Sequence, residues 1–161
     1  MDWFEIEIFA RWLHVIGACV LLGTGAGIAF FALMAHRTKN VAAVAHTMSI
    51  VVIADTIFTA TAAIVQPITG VGLATIVGWQ LSEGWILASI GLYIFIGVFW
   101  LPVVWIQIKM RDLAHIALAE GQELPEAYHR FFRIWFACGI PAFLAILVIF
   151  WLMLARPDLA F

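Results

Sequence analysis

Four long runs of apolar residues, separated by short charged segments, constrain this chain more than any other feature. The runs cover about residues 9–34, 41–66, 84–108 and 131–155. A helix needs about 20 apolar residues to cross a bilayer core of roughly 30 Å, so each run is long enough to cross. The composition agrees, because 65% of the residues are hydrophobic and only 11% are charged. The sequence predicts an all-α integral membrane protein: one domain, residues 1–161, with four transmembrane helices in an up-down bundle that contacts the lipid bilayer.

The distribution of Lys and Arg predicts the orientation of the bundle, because these residues concentrate in cytoplasmic connections. Six of the eight lie between the first two runs or in and beside the connection between the last two: Arg37, Lys39, Lys109, Arg111, Arg130 and Arg133. We therefore expect both termini outside and a location in a bacterial inner membrane. The basic residues are too few and too scattered for a nucleic-acid surface.

The connections between the runs differ in character. The segment 36–40 predicts a tight turn, so the first two helices form an antiparallel hairpin. The apolar, glycine-rich stretch 67–82 is expected to lie against the outer membrane interface. In the stretch 109–130 we expect the third helix to continue into the cytosol as an amphipathic arm, with Gly121 ending it and Pro125 starting the last helix.

Small residues predict where helices approach closely in lipid. The pairs Gly23/Gly27 and Gly25/Ala29 indicate a tight seam between the first helix and the second.

Asp55 is the most costly residue to place, because a lone carboxylate deep in a bilayer costs at least about 2.5–3.5 kcal/mol. It should therefore face the interior of the bundle. Thr59 and Gln66 follow on the same side of the helix and extend a polar line outward. Asp55 is either a proton-relay or ligand-binding group, or a hydrogen-bonded clamp between helices.

His14 is the second candidate, because we expect it at a depth similar to that of Asp55. Metal-bound histidines usually donate their second nitrogen to a carboxylate or carbonyl. His14 would then be an axial haem ligand whose second nitrogen donates to Asp55, and the second axial ligand would be Met153, the soft ligand at comparable depth, or a histidine from a second subunit. The alternative is a histidine satisfied by hydrogen bonds within the bundle.

The remaining polar side chains are weaker candidates. His46 lies nine residues before Asp55 and therefore on the opposite side of the helix, where Ile50, Ile53, Ile57 and Ile64 form an outward stripe. His46 and His129 are possible ligands near the inner end, and His36 and His115 are expected to be solvated. Ser89, Tyr93 and Gln107 either line a pocket or make packing hydrogen bonds.

Several segments resemble an uncharacterised bacterial family of four-helix integral membrane proteins. The segments are RWLHVIGACVLLGTGAGIAFF (11–31), ADTIFT (54–59), QPITGVGLA (66–74), LYIFIGVFWLPVVWIQIKMRDLA (92–114) and PAFLAILVIFWLMLARP (141–157). The resemblance covers nearly the whole chain and implies no established activity.

A more distant resemblance is to HemJ-type protoporphyrinogen oxidases and copper-resistance D proteins. It rests on the WLH string at 12–14, the P-x-x-G string at 67–70 and Trp85. The HemJ type binds haem b through a first-span histidine, which implies this role for His14. It also carries a third-span lysine, but here Ser89 and apolar residues follow Trp85, so the oxidase activity itself is not implied.

Three functions stay open from the sequence. The first is a protein that binds haem b or contacts quinone through His14 and Asp55. The second is a non-catalytic subunit or assembly partner of a membrane complex, and the third is an oligomeric permeation protein for protons, cations or small solutes. We expect a homo-oligomer or a partner membrane subunit. We assign no catalytic residue and no metal other than haem iron, because no nucleophile–base pair or closed metal set is present.

Overall fold

A computed structural model describes residues 3–159. Within this range the chain forms four long helices and no strand. They are α1 (Trp3–Thr38), α2 (Val41–Val77), α3 (Gly84–Ala119) and α4 (Glu126–Ala155). All four are long and apolar enough to cross a membrane. The predicted all-α fold with four spans is confirmed, and the outward orientation of the termini stays a prediction.

The first connection is the predicted tight turn. Lys39 has a positive φ of 57°, and the side chain of Asn40 caps α2 by accepting a hydrogen bond from the backbone N–H of Ala43 at 3.0 Å. An Asn cap satisfies one of the free N–H groups at the start of a helix. The turn therefore places α1 and α2 side by side as an antiparallel hairpin.

The second helix is longer than the sequence predicted. It continues through Pro67 to Val77 and ends at Gly78, which has a φ of 87°. Residues 67–77 are therefore helical and do not form a separate interfacial segment. Membrane helices tolerate proline because neighbouring groups satisfy the backbone carbonyl that it leaves free.

A short π-helical segment, Asp55–Thr59, interrupts the α-helical hydrogen bonding of α2. The backbone N–H of Ala60 bonds to the carbonyl of Asp55, five residues earlier. Such single π-turns are rare and occur frequently at functional sites. Here the π-turn begins at the intramembrane carboxyl group, and both Asp55 and Thr59 are buried.

The third helix continues to Ala119, as predicted for the amphipathic arm. Gly121, with a φ of 65°, follows its end. Pro125 precedes α4 by one residue, so Glu126 and not the proline is the first helical residue.

Packing divides the bundle into two unequal halves. The inner core, at the end that carries the 39–40 and 120–125 connections, has members from all four helices. They are Ala32, Ala35, Val44, Ala45, Met48, Val51, Ile106, Met110, Ala114, Tyr128, Phe132 and Trp135. The outer cluster has buried members from α3 and α4 only, namely Trp85, Ile86 and Leu152. The two helical hairpins are thus packed together at one end and less tightly joined toward the other.

The close approach of α1 to α2 occurs at a different glycine from those predicted. A Cβ atom on Gly23, Gly25 or Gly27 would meet nothing within 4 Å, so the predicted close approach at these three glycines is wrong, whereas Ala29 packs against the inner core. A Cβ on Gly17 would instead clash with Oε1 of Gln66. The helices therefore touch near the outer end, where the amide of Gln66 lies directly against Gly17.

Substitution of Gly17 tests this contact. Gly17→Ala should displace the amide of Gln66 from the carbonyl of His14, and loss of this hydrogen bond should lower the free energy of unfolding by about 1 kcal/mol. Gly23→Ala is the matched control on the same helix, and it should be neutral or gain up to about 1 kcal/mol from helix propensity. Equilibrium unfolding in mixed micelles measures both. Equal stabilities for the two variants would contradict the packing described here.

Candidate functional site

A cavity of about 710 Å³ lies between the four helices, next to the inner core, and its walls include side chains that are exposed on the surface of the bundle. Most of its wall is apolar. The residues of the wall that carry polar atoms in their side chains are Asp55, Thr59, Gln66, Tyr93, Trp100, Gln107, Trp135 and Cys138. Small residues of α1, among them Gly25 and Ala29, form one side, so these two predicted seam residues line the cavity.

Asp55 is 3% exposed and is held by side chains from α3. The indole N–H of Trp100 donates to its Oδ1 at 3.3 Å. The Gln107 amide satisfies both of its neighbours when its nitrogen donates to Oδ2 of Asp55 at 3.2 Å and its oxygen accepts from the indole N–H of Trp135 at 3.1 Å. A chain of hydrogen bonds thus connects α2, α3 and α4. We call Asp55, Trp100, Gln107 and Trp135 the carboxylate network.

The carboxylate network contains hydrogen-bond donors but no positive charge. The ion pairs among the described residues include Arg11–Glu7, Arg111–Asp112 and Arg133–Glu126, and none of these three involves Asp55. Thr59 lies beside the carboxyl group of Asp55. Its buried hydroxyl has no partner within hydrogen-bond distance among the described residues. The wall of the cavity therefore carries an acidic group with only neutral partners and an unpaired hydroxyl beside it.

His14 does not contact Asp55, so the predicted histidine–aspartate pair is wrong. Its Nδ1 makes a 2.9 Å hydrogen bond with the hydroxyl of Thr69, and its backbone carbonyl accepts from the amide of Gln66 at 3.1 Å. Counted from the 39–40 turn, His14 lies about ten residues further out than Asp55, or about 15 Å of helical rise. The expectation of equal depth ignored this count.

The pairing of His14 and Met153 as axial ligands of a haem stays a prediction. Met153 packs against the outer cluster of α3 and α4, whereas His14 lies in the contact between α1 and α2. No group of three or more His, Cys, Asp or Glu side chains among residues 3–159 has the arrangement of a metal site. A haem iron needs only one or two axial ligands from the protein, so haem binding through His14 stays a prediction from the sequence.

The histidines near the inner end have other surroundings. His46 is exposed on the outward side of α2 together with Ile50, Ile53, Ile57 and Ile64, so the predicted outward stripe is confirmed. His129 packs edge-to-face against His36, with ring centroids 5.5 Å apart. The expectation that His36 is solvated is wrong, because its ring stacks on Phe132 at 3.8 Å.

Two further candidates in α3 make structural hydrogen bonds. Ser89 is buried and donates to the carbonyl of Trp85, one turn earlier, at 2.7 Å. The hydroxyl of Tyr93 donates to the carbonyl of Ala63 and so connects α3 to α2 at the wall of the cavity. Of the two, only Tyr93 lies where a ligand in the cavity would reach it.

Sequence reasoning missed the roles of two tryptophans. Neither Trp100 nor Trp135 was among the candidate site residues named from the sequence. The spacing held a signal, because Trp100 lies seven residues before Gln107 and the two therefore share a side of the helix. An indole N–H two turns from a buried amide is a natural partner for an intramembrane carboxylate.

Helix lengths, apolar surface and the enclosed carboxyl group together define a polytopic helical membrane protein. Residues 8–157 match the model of a family described as "Predicted integral membrane protein (DUF2269)". The chain belongs to this family. No curated protein and no solved structure matches the chain.

The carboxylate network should contribute measurably to stability. Gln107→Leu removes one donor to Asp55 and leaves the indole N–H of Trp135 unpaired, and each unsatisfied group costs about 1–3 kcal/mol. Ser89→Ala is the control, because it removes a buried hydrogen bond within a single helix and should cost about 1 kcal/mol or less. Chemical unfolding of the purified variants in micelles measures both. If Gln107→Leu were no less stable than Ser89→Ala, the network would not connect the helices.

Proposed function

We propose that this protein binds a lipid-soluble small molecule inside the membrane. The apolar body of the ligand occupies the cavity and a polar group of the ligand pairs with Asp55. The observation that carries the proposal is the position of the buried carboxyl group on the wall of a cavity of about 710 Å³. Small-molecule sites are typically about 300–1,000 Å³, mostly apolar, with a few polar groups that fix the orientation of the ligand.

Hydrogen bonding at Asp55 leaves room for a ligand. A carboxylate offers about four acceptor positions, and Trp100 and Gln107 use one on each oxygen. A ligand with an O–H or N–H group can therefore donate to Asp55, with the unpaired hydroxyl of Thr59 beside it. A quinol hydroxyl is one such donor, which keeps quinone contact within the proposed range of ligands.

Access from the lipid is consistent with the exposure of the walls. Ile64, Leu101 and Ile140 line the cavity, and each is more than half exposed. A ligand dissolved in the bilayer would thus reach the site without crossing water. A path through a single copy toward the inner end is not supported, because Val44, Met48 and Met110 are at most 1% exposed there.

Filling the cavity tests the proposal. Gly97 lines the cavity, and a Cβ there meets nothing within 4 Å, so Gly97→Leu should occupy space without a backbone clash. Gly91→Leu is the matched control, because Gly91 is exposed on the same helix, has equally open surroundings and lies outside the cavity wall. The probe is a fatty alcohol carrying a diazirine, photoactivated in liposomes, with the labelled residues identified by peptide mass spectrometry.

The expected result is labelling of cavity residues that falls severalfold in Gly97→Leu and is unchanged in Gly91→Leu. Labelling confined to the outward stripe around Ile50 and Ile53, and equal in all three proteins, would contradict an internal binding site.

A further inference from the structure

We infer that the ligand of the cavity is a lipophilic organic cation, whose positive charge lies beside Asp55 and whose apolar or aromatic body fills the remaining space. The inference rests on the proposed function and specifies its ligand class. It follows from three features of the cavity: an unbalanced acidic group, aromatic walls and the absence of basic side chains among the described lining residues.

The first feature is the acidic group of Asp55, which has no charged partner among the described residues. Its described partners, Trp100 and Gln107, are neutral donors, and no Lys, Arg or His of residues 3–159 forms an ion pair with it. Ionisable groups inside a membrane usually pair with another charge and are often counter-ions of bound ligands. A neutral ligand would leave the carboxylate without a counter-ion. A cationic ligand would balance it.

The second feature is the aromatic surface next to the carboxyl group. Trp100 donates to Asp55 through its indole N–H, so one of its ring edges lies at the carboxylate. Further rings lie along the wall, namely those of Tyr93, Phe99, Trp135, Phe136, Phe143 and Phe150. Faces of aromatic rings attract cations, and most strongly where water is excluded. The carboxylate and the rings thus favour the same kind of ligand.

The third feature is the lack of any competing positive charge. Among the described residues that line the cavity there is no Lys, Arg or His. The only other titratable side chains in the wall are Tyr93 on α3 and Cys138 on α4, and α1 contributes none. An anionic ligand would therefore meet the carboxylate with nothing to offset the repulsion. The cavity should therefore bind a lipophilic cation more tightly than an anion of the same size and shape.

Tetraphenylphosphonium and tetraphenylborate test this selection, because they have nearly the same shape and opposite charges. Binding of each ion to the full-length protein in neutral phosphatidylcholine nanodiscs is measured by equilibrium dialysis against empty nanodiscs. We expect saturable binding of tetraphenylphosphonium only. Binding should weaken at least tenfold in Asp55→Asn and in Gly97→Leu, and stay unchanged in Gly91→Leu.

The comparison of the two ions uses the unmodified protein, so it does not depend on whether Asp55→Asn folds. Saturable, Gly97→Leu-sensitive binding of tetraphenylborate or of the neutral diazirine alcohol, at least as tight as that of the phosphonium ion, would overturn the cation inference and leave the cavity as a binding site. If no probe binds saturably, the proposed function itself fails.

Discussion

A carboxyl group surrounded by hydrocarbon has to be satisfied by the protein itself, and this requirement organises the centre of the bundle. Asp55 on α2 accepts from Trp100 and Gln107 on α3, and Gln107 in turn accepts from Trp135 on α4. Three of the four helices are thus linked by directional contacts. The hydrophobic effect contributes little to helix association in lipid, because lipid tails are as apolar as the side chains. Directional contacts and close packing therefore determine which helix surfaces meet.

The carboxylate network also lies where the packing of the bundle changes. Trp135 belongs to the inner core and at the same time lines the cavity. On the inner side, residues such as Val44 and Met110 are fully buried, whereas the outer cluster has buried members from α3 and α4 only. The cavity therefore lies between the tightly packed inner core and the more loosely packed outer end, and the carboxylate network lies at its inner boundary. The proposed binding of a ligand rests on this geometry more than on any single residue.

The sequence predicted those features that follow from lipid chemistry alone. Apolar length predicted the four helices, the cost of a buried carboxylate placed Asp55 inside, and helical phase placed His46 outside. It failed where the answer depended on register between helices. His14 was paired with Asp55 because the helical rise was not counted from the turn at Lys39, and the predicted second span stopped at residue 66 although the helix continues through Pro67. The contact of Trp100 with Asp55 was missed because it depends on how α2 and α3 pack, which the pattern within one helix does not determine.

The most direct test is the state of the indole N–H groups in the membrane. Protein labelled with ¹⁵N-tryptophan is reconstituted in nanodiscs, and the indole resonances are assigned with single Trp→Phe variants. A hydrogen bond from Trp100 to a carboxylate predicts a large change of its N–H resonance in Asp55→Asn, a smaller change for Trp135 through Gln107, and none for the exposed Trp151. If the resonance of Trp100 stays unchanged while that of Trp151 moves, Asp55 faces lipid and the internal site does not exist.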